Sequence, residues 1–177
     1  MVKDINGDTM KKISILFIFL FLLIGCSLSN TPTSQVEDLL TKYQTLDSDI
    51  ETGINNILDS ENLTISQRER YRKLIESQYK NIAYEIKDET IDGDNATVTV
   101  EVELLDYKKA INETNLFYQG NTDYTVEEYN DTKLNNLEKV KDKVTYTVDF
   151  NVKKDKDGNW KVEALDNETI KKIQGMY

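Results

Sequence analysis

The stretch that decides the fold runs from residue 96 to residue 104 and reads ATVTVEVEL. Apolar side chains alternate with polar ones without a break, so one face of this segment is apolar and the other is polar. Alternation with a period of two is typical of a β-strand that is buried on one side and wet on the other. Residues 144–152, VTYTVDFNV, repeat the pattern, which predicts a second strand of the same kind.

A partner strand precedes the first of these segments and is joined to it by a tight turn. Tyr84 and Ile86 alternate with charged residues, and the turn is Asp-Gly-Asp at 92–94. Such a pattern predicts an antiparallel hairpin. Because Ile91 has the opposite parity to Ile86, we expect a β-bulge near Lys87 and Asp88.

The second predicted strand also has a hairpin partner. Residues 153–159, KKDKDGN, form a turn that leads into Trp160, Val162 and Ala164. The carboxylates of Asp155 and Asp157 before a glycine are similar to part of a calcium loop, but no glutamate follows at the spacing that such a loop needs. We therefore favour a turn built for the backbone freedom of glycine and asparagine over a cation site.

The rest of the chain has helical periodicity. Two capping patterns predict helix starts before the first hairpin, at Ser34 with Glu37 and at Thr64 with Gln67. Apolar residues from position 36 to position 58 fit either one bent helix or two. Between the hairpins, residues 108–142 are predicted to be a helical insertion, in which Thr125 and Glu128 cap a helix with these residues inward: Val126, Tyr129, Leu134, Leu137 and Val140. A short helix with Ile170 and Ile173 closes the chain.

The N-terminal region has the composition of a secretory signal. Lys11 and Lys12 precede an apolar run, residues 13–24, that only Ser14 interrupts. A bilayer-spanning helix needs about 20 apolar residues, so this shorter run is better explained as a removable signal peptide than as a permanent membrane span. Asp4 and Asp8 are unusual in such a signal, and we expect translation to begin at Met10.

The end of this run, Leu23-Ile24-Gly25-Cys26, resembles the lipobox of bacterial lipoproteins. In that family the cysteine thiol is joined to a diacylglycerol, the preceding peptide bond is cut, and the new amino terminus is commonly acylated. The resemblance implies a signal peptide at 1–25, a lipidated tether at 26–33 and one domain at 34–177. The resemblance also implies that the domain lies outside the cytoplasm and is anchored to a membrane by covalent lipid at Cys26. An ordinary thiol in an uncleaved signal anchor is the alternative.

Composition excludes several classes of function. The net charge is −10, and it becomes −11 once residues 1–25, with three lysines and two aspartates, are removed. An acidic surface repels nucleic acid and anionic lipid, so neither is an expected partner. The chain has no histidine and one cysteine, which the lipid occupies. Cysteine nucleophiles, serine triads with a histidine base and the usual zinc sites are therefore excluded, and we predict no cofactor.

Helices, hairpin, helical insertion, hairpin and closing helix together predict an α+β domain, in which N-terminal helices pack on a curved antiparallel sheet of about four strands. The helix that enters residues 84–98 and the final hairpin at 157–162 resemble the cystatin-like and nuclear-transport-factor-like superfold. More narrowly, the chain is similar to small exported lipoproteins of low-GC Gram-positive bacteria. The insertion at 108–142 departs from the commonest form of that superfold and leaves the strand order open.

An aromatic pocket and a pair of catalytic carboxylates are the two candidate sites for the exported domain. Six aromatic residues that are predicted to face inward could line a cone-shaped pocket for a small ligand, or could simply fill the core: Tyr43, Tyr79, Tyr84, Tyr146, Phe150 and Trp160. Paired carboxylates for catalysis are disfavoured, because Glu101, Glu103 and Asp149 fall on the outward faces of the strands.

The sequence thus favours a non-enzymatic, lipid-anchored module that binds a protein or a small ligand. A small envelope enzyme that uses buried aspartate or tyrosine residues and an accessory subunit of a transport system are the alternatives, and the oligomeric state stays open.

Overall fold

The structure is a computed structural model that describes residues 30–121 and 123–177. The predicted signal peptide, the predicted lipobox residues Leu23, Ile24 and Gly25, the predicted lipidation site Cys26 and most of the predicted tether lie outside the described residues. The described helices are α1 (Pro32–Thr45), α2 (Ser48–Ser60), α3 (Ile65–Lys80), α4 (Tyr107–Tyr118), α5 (Val126–Leu137) and α6 (Asn167–Ile173). The described strands are β1 (Ala83–Asp92), β2 (Asn95–Leu105), β3 (Lys143–Lys154) and β4 (Trp160–Val162).

The four strands form one antiparallel sheet in the order β1-β2-β3-β4, so the chain is an α+β domain as predicted. The predicted alternation at residues 96–104 is confirmed, because every second residue of β2 is buried: Ala96, Val98, Val100, Val102 and Leu104. Val148, Phe150 and Val152 of β3 lie opposite Val100, Val98 and Ala96 and are buried on the same face. The other face of the sheet carries the threonines and charged residues.

The predicted bulge in β1 is also confirmed. The pairing of β1 with β2 shifts register between Ile86 and Asp88, so Lys87 is the extra residue. After the shift, Ile91 lies opposite Ala96, on the face that the helices cover. Ile91 is nevertheless exposed, because it lies near the end of the edge strand, beyond the cover of the helices.

Helix α1 packs against all four strands through a face that includes Val36 and Leu40. It begins three residues earlier than the capping pattern at Ser34 predicted. Thr31 is the N-cap, and Pro32 occupies the first turn, where its missing N–H and its restricted backbone fit a helix start. Ser34 instead occupies the N3 position of the capping box, and its hydroxyl accepts from the Thr31 backbone N–H at 3.0 Å.

The segment from position 36 to position 58 is two helices rather than one bent helix. Leu46 caps α1 in the left-handed conformation, with a φ of 53°. Asp47 then caps α2, because its carboxylate accepts from the backbone N–H groups of Asp49 and Ile50 at 3.1 Å. Helices α1 and α2 both contact α3, which forms a second layer of helix above the sheet.

The helical insertion between the hairpins consists of α4 and α5, which pack against each other and attach to the domain through α3. Gln67 of α3 is buried and donates from its amide to the Glu127 carbonyl and to the Asp131 carboxylate, each at 3.0 Å. Leu134 and Leu137 are buried as predicted. The prediction for Val126 is wrong: as the first residue of α5, it lies where no described element covers it.

The chain ends by closing back on the sheet. Helix α6 contacts β3, and Gly175 follows it with a φ of 69°. The Gly175 carbonyl accepts from the Lys108 backbone N–H at 2.8 Å, which ties the C-terminus to the start of α4. Gln78 of α3 donates from its amide to the carbonyls of Leu105 and Gln174, at 2.9 and 3.1 Å. We call residues 174–176 and these bonds the C-terminal latch.

Candidate functional site

All six aromatic residues proposed for a pocket lie in or beside the packed core. Phe150 is completely buried, and Trp160 is buried with the Lys154 ammonium 4.7 Å from its ring centre. Tyr79 is buried, and the Tyr43 ring meets it edge-on with 4.9 Å between the ring centres. Burial raises the pKa of the Tyr79 hydroxyl, so this hydroxyl stays protonated at neutral pH.

The other two, Tyr84 and Tyr146, are half-buried on the sheet. The Tyr146 hydroxyl donates to the Tyr177 carbonyl at 3.0 Å, and the two rings meet edge-on. Tyr79 borders a depression beside the latch that has no room for a water molecule, and Tyr146 borders a different, open one. The structure therefore does not bring the six residues around one described cavity.

The carboxylates on the sheet lie on the outward face, as predicted. Glu101 pairs with Lys87 at 2.7 Å, Glu103 pairs with Lys143 at 2.6 Å, and the Asp149 carboxylate accepts from the Thr99 hydroxyl at 2.7 Å. Each is engaged by a neighbour on the same face. Among residues 30–121 and 123–177, no three histidine, cysteine, aspartate or glutamate side chains are grouped so that they could hold a metal ion.

The Asp155 carboxylate organises the β3–β4 turn. It accepts from the backbone N–H groups of Asp157 and Asn159 at 2.9 and 3.0 Å, and it pairs with Lys161 at 2.9 Å. The hydrogen bond from Lys161, followed by that from Asn159, lowers the pKa of Asp155 below its ordinary value of 3.8. These contacts are those expected of the turn that the sequence favoured.

We expect Asp155→Asn to lower the thermal midpoint at pH 7, because asparagine can keep the two backbone hydrogen bonds but not the charge that faces Lys161. A carboxyl with a lowered folded pKa stabilises the fold above its unfolded pKa, and this stabilisation is lost as pH falls through the folded value. The difference in midpoint between wild type and variant should therefore shrink below pH 3.8. A difference that stays constant in thermal scans from pH 7 to pH 3 contradicts this role.

An open cleft of about 260 Å³ lies between α4 and the end of α5. Its lining mixes charges of both signs, and Lys109 pairs with Asp142 across it at 2.9 Å. This ion pair lowers the pKa of Asp142 and raises the pKa of Lys109, so both groups are charged at neutral pH. The cleft therefore presents a closed Lys109–Asp142 ion pair rather than an unpaired acid or base at this point.

A cluster of aromatic and apolar side chains stands at the turn between α4 and α5. We call it the aromatic tip and define it by these residues: Leu116, Phe117, Tyr118, Tyr124, Val126 and Tyr129. The Tyr118 ring is central, because its centre lies 4.9 Å from that of Phe117, 4.3 Å from that of Tyr124 and 5.6 Å from that of Tyr129.

Hydrogen bonds within the helical hairpin hold these rings in place. The Tyr118 hydroxyl donates to the Glu128 carbonyl at 3.2 Å and lies 2.8 Å from the Thr132 hydroxyl. The Tyr129 hydroxyl donates to the Asn115 side-chain oxygen at 2.6 Å, which joins α5 to α4. These bonds fix the rings of Tyr118 and Tyr129 within the hairpin.

A capping box fixes the start of α5, next to the tip. Thr125 and Glu128 form the capping box that the sequence predicted, and the Glu128 carboxylate accepts from the Thr125 backbone N–H at 2.8 Å. This bond and the one from the Thr125 hydroxyl lower the pKa of Glu128. Glu128 is thus a negatively charged capping residue at neutral pH.

The tip exposes an unusual amount of apolar surface for its size. Phe117 is 71% exposed, Leu116 67%, Val126 54% and Tyr124 38%. Ile65, on the first turn of α3, is 82% exposed. The hydrogen bond from Gln67 to the Glu127 carbonyl places this turn beside the first turn of α5. Exposed apolar residues grouped in this way mark an interaction surface, whereas single ones are ordinary.

A shallow depression of about 370 Å³ opens beside the tip. Its lining combines two tyrosine rings with carboxylates, an amide and a hydroxyl: Tyr118, Asn121, Asp123, Tyr124, Glu128, Asp131 and Thr132. No lysine or arginine of the described chain lines it. The depression therefore suits a neutral or cationic group and disfavours an anionic one.

The sequence pattern did not predict this surface, because the helical period places Val126 and Tyr129 on the buried side of a helix. One signal was available: residues 116–118, Leu-Phe-Tyr, stand directly before a Gly-Asn turn, and Tyr124 follows that turn. Apolar side chains on both sides of a turn are expected to meet at the end of a helical hairpin. Periodicity alone could not show that no other element covers them.

No protein-family model matches the chain, and no curated protein matches it. Among solved structures, the chain is similar to a candidate lipoprotein, ycdA, from Bacillus subtilis. The two share 17% sequence identity and a TM-score of 0.43, over 74% of this chain and 46% of the other. The chain therefore spans about half the length of that protein.

Proposed function

We propose that this chain is a lipid-anchored interaction module that is displayed outside the cytoplasm and docks a partner protein through the aromatic tip. The anchor is supported by residues 11–26, where two lysines, a short apolar run, Gly25 and Cys26 follow one another in the order of a lipoprotein signal. Several acyl chains together hold a protein firmly to a bilayer, so the domain needs no further membrane contact. Within residues 30–121 and 123–177, no helix is both long and apolar enough to cross a bilayer.

A lipid on Cys26 keeps one end of the domain near the bilayer. The Asn30 side-chain amide donates to the Trp160 carbonyl at 3.2 Å, so the chain is attached to the start of β4 from residue 30 onward. Four residue steps separate Cys26 from Asn30, and an extended chain covers at most about 3.6 Å in each. Asn30, the residue that makes this attachment, then lies within about 14 Å of the lipidated residue.

The exposed aromatic tip is the observation that carries the docking function. Interface energy is concentrated in a few central aromatic and apolar anchors, with polar groups around them. The tip has this composition, and the hydroxyls of Tyr118 and Tyr129 bond within the hairpin. A partner would therefore bind a preformed surface, without the entropic cost of ordering these rings.

Site-specific photo-crosslinking tests this function in the lipidated chain in native cell membranes. A photoreactive phenylalanine analogue at position 117 should give a discrete protein adduct. The same analogue at position 91, which is also exposed but lies on the edge strand, is the matched control and should give none. Adding Leu116→Ala and Tyr124→Ala should reduce the adduct at 117 about tenfold or more, as expected when interface anchors are truncated.

The fold should tolerate these changes, because exposed substitutions of this kind alter the free energy of unfolding by about 0.5 kcal/mol or less. Thermal unfolding of each variant checks this. Adducts at both positions, or an adduct at 117 that the two alanines leave unchanged, would show that the tip is not the docking surface.

A further inference from the structure

We infer that the partner surface recognised by the aromatic tip is a basic, amphipathic protein segment, which places apolar side chains on Phe117 and Leu116 and a lysine or arginine in the depression beside Tyr118 and Tyr124. This inference rests on the proposed docking function and adds the chemistry of the partner. Three observations carry it: the charge of the hairpin, the groups left unneutralised, and the rings that line the depression.

The end of the helical hairpin that carries the tip is acidic, whereas Lys108 and Lys109 lie at the opposite end, in the first turn of α4. Residues 112–138 contain six carboxylates and one lysine, Lys133. That lysine is largely buried and already pairs with Glu61 at 3.1 Å, below the Tyr71 ring. The field around the tip is therefore negative, which attracts a positively charged partner and repels anionic lipid and nucleic acid.

Some of these carboxylates are neutralised by the domain and some are not. Asp131 and Glu138 face Arg70 of α3, at 3.4 and 2.8 Å. Asp123 and Glu127, which flank the exposed Tyr124 and Val126, form no ion pair with another described residue. They are the charges available to a partner at the rim of the tip.

The rings beside the depression can also receive a cation. A positive charge within about 6 Å of a ring centre is attracted by the negative face of the ring. Three aromatic rings elsewhere in this fold are paired in this way with the chain's own lysines, as Lys172 is with Tyr177 at 4.8 Å. Tyr118 and Tyr124 border a depression that no described lysine or arginine lines, so a cation there would come from the partner.

Binding of defined probes tests this inference in the full lipidated chain, held in nanodiscs of zwitterionic lipid. The first probe is a dodecapeptide of alternating lysine and leucine, and the second has glutamate in place of each lysine. A soluble β-1,4-linked tetramer of N-acetylglucosamine represents a neutral glycan. Empty nanodiscs measure the binding of each probe to lipid alone, which is subtracted.

The lysine peptide should bind at least about tenfold more tightly than the glutamate peptide, and added salt should weaken it. Asp123→Asn with Glu127→Gln should weaken it about fivefold. The matched control is Asp88→Asn with Asp92→Asn, which removes the same two charges from exposed positions on β1 and should change affinity less than about twofold.

Equal binding of the two peptides, or equal weakening by the two double variants, overturns the inference, because attraction would then come from overall charge or from leucine alone. Binding of the glycan at the tip in place of the lysine peptide overturns it as well. The proposed function is tested separately. If the adduct at position 117 needs Leu116 and Tyr124 but ignores Asp123→Asn with Glu127→Gln, docking at the tip stands and the basic partner does not.

Discussion

Cys26→Ser is expected to abolish labelling of the chain by radioactive palmitate and to release the protein from the membrane or leave it as an unprocessed precursor. Serine has no thiol to accept a diacylglycerol, so the modification that the lipobox implies cannot occur. Residues 30–121 and 123–177 contain no helix that could span a bilayer. Labelling, fractionation and the mass of the chain measure the effect.

Ser27→Ala is the matched control, because it alters the next residue but keeps the thiol, and it should label and fractionate like wild type. The released Cys26→Ser chain should still fold, since the packed core lies within the described residues. Palmitate labelling that persists in Cys26→Ser would falsify the assignment of the lipid to this residue.

Gly175→Ala adds a single methyl group and should strongly lower the free energy of unfolding. Gly175 is buried with a φ of 69°, a conformation that side chains with a Cβ rarely adopt. A Cβ there would overlap the Leu105 carbonyl oxygen and come within 2.5 Å of the Gln78 amide nitrogen. The backbone penalty and the overlap together are expected to cost about 3 kcal/mol.

Thermal unfolding should then show a midpoint lowered by roughly 6–12 °C for a chain of this length. Gly158→Ala separates the two causes, because Gly158 also has a positive φ, 82°, but nothing lies within 4 Å of the position of its Cβ. That control should lose only about 1 kcal/mol. Equal losses in the two variants would mean that the contact with Leu105 and Gln78 contributes nothing.

The latch explains why a short closing helix matters to the whole domain. Gln78 contacts β2 and the C-terminus at once, because its amide nitrogen donates to Leu105 and Gln174 and its oxygen accepts from the Leu105 backbone N–H at 3.2 Å. All buried side-chain nitrogen and oxygen atoms of the described residues have a hydrogen-bond partner. A substitution that displaces residues 174–176 therefore breaks the bonds that Gln174 makes with the Gln78 amide and with the Tyr79 hydroxyl.

Local patterns predicted the elements of this fold well. The alternation at 96–104 and 144–152, the parity change around Lys87 and the capping boxes at Thr64 and Thr125 all correspond to described strands, a bulge and helix starts. Each of these features depends on neighbouring residues only, through the two-residue period of a strand or the three-residue spacing of a cap. The start of α1 was misplaced because both Thr31 and Ser34 are good capping residues.

The candidate site was predicted less well, because it depends on which surfaces meet. The aromatic residues at 43, 79, 84, 146, 150 and 160 were rightly expected on the inner side of helices and strands, yet the packing distributes them between a filled core and two separate depressions. Conversely, Val126 and Tyr124 are of residue types common in protein cores, but both are exposed at the end of the α4–α5 hairpin.

The sequence by itself determined the α+β class, the two hairpins, the resemblance of residues 11–26 to a lipoprotein signal and the exclusion of histidine-based chemistry, because these follow from composition and short-range spacing. The tertiary structure alone decided that the pocket aromatics are dispersed, that Gly175 cannot carry a side chain, and that an acidic aromatic tip stays open to solvent. The physical reason is that burial and close contact are properties of pairs of surfaces distant along the chain, which no local period encodes.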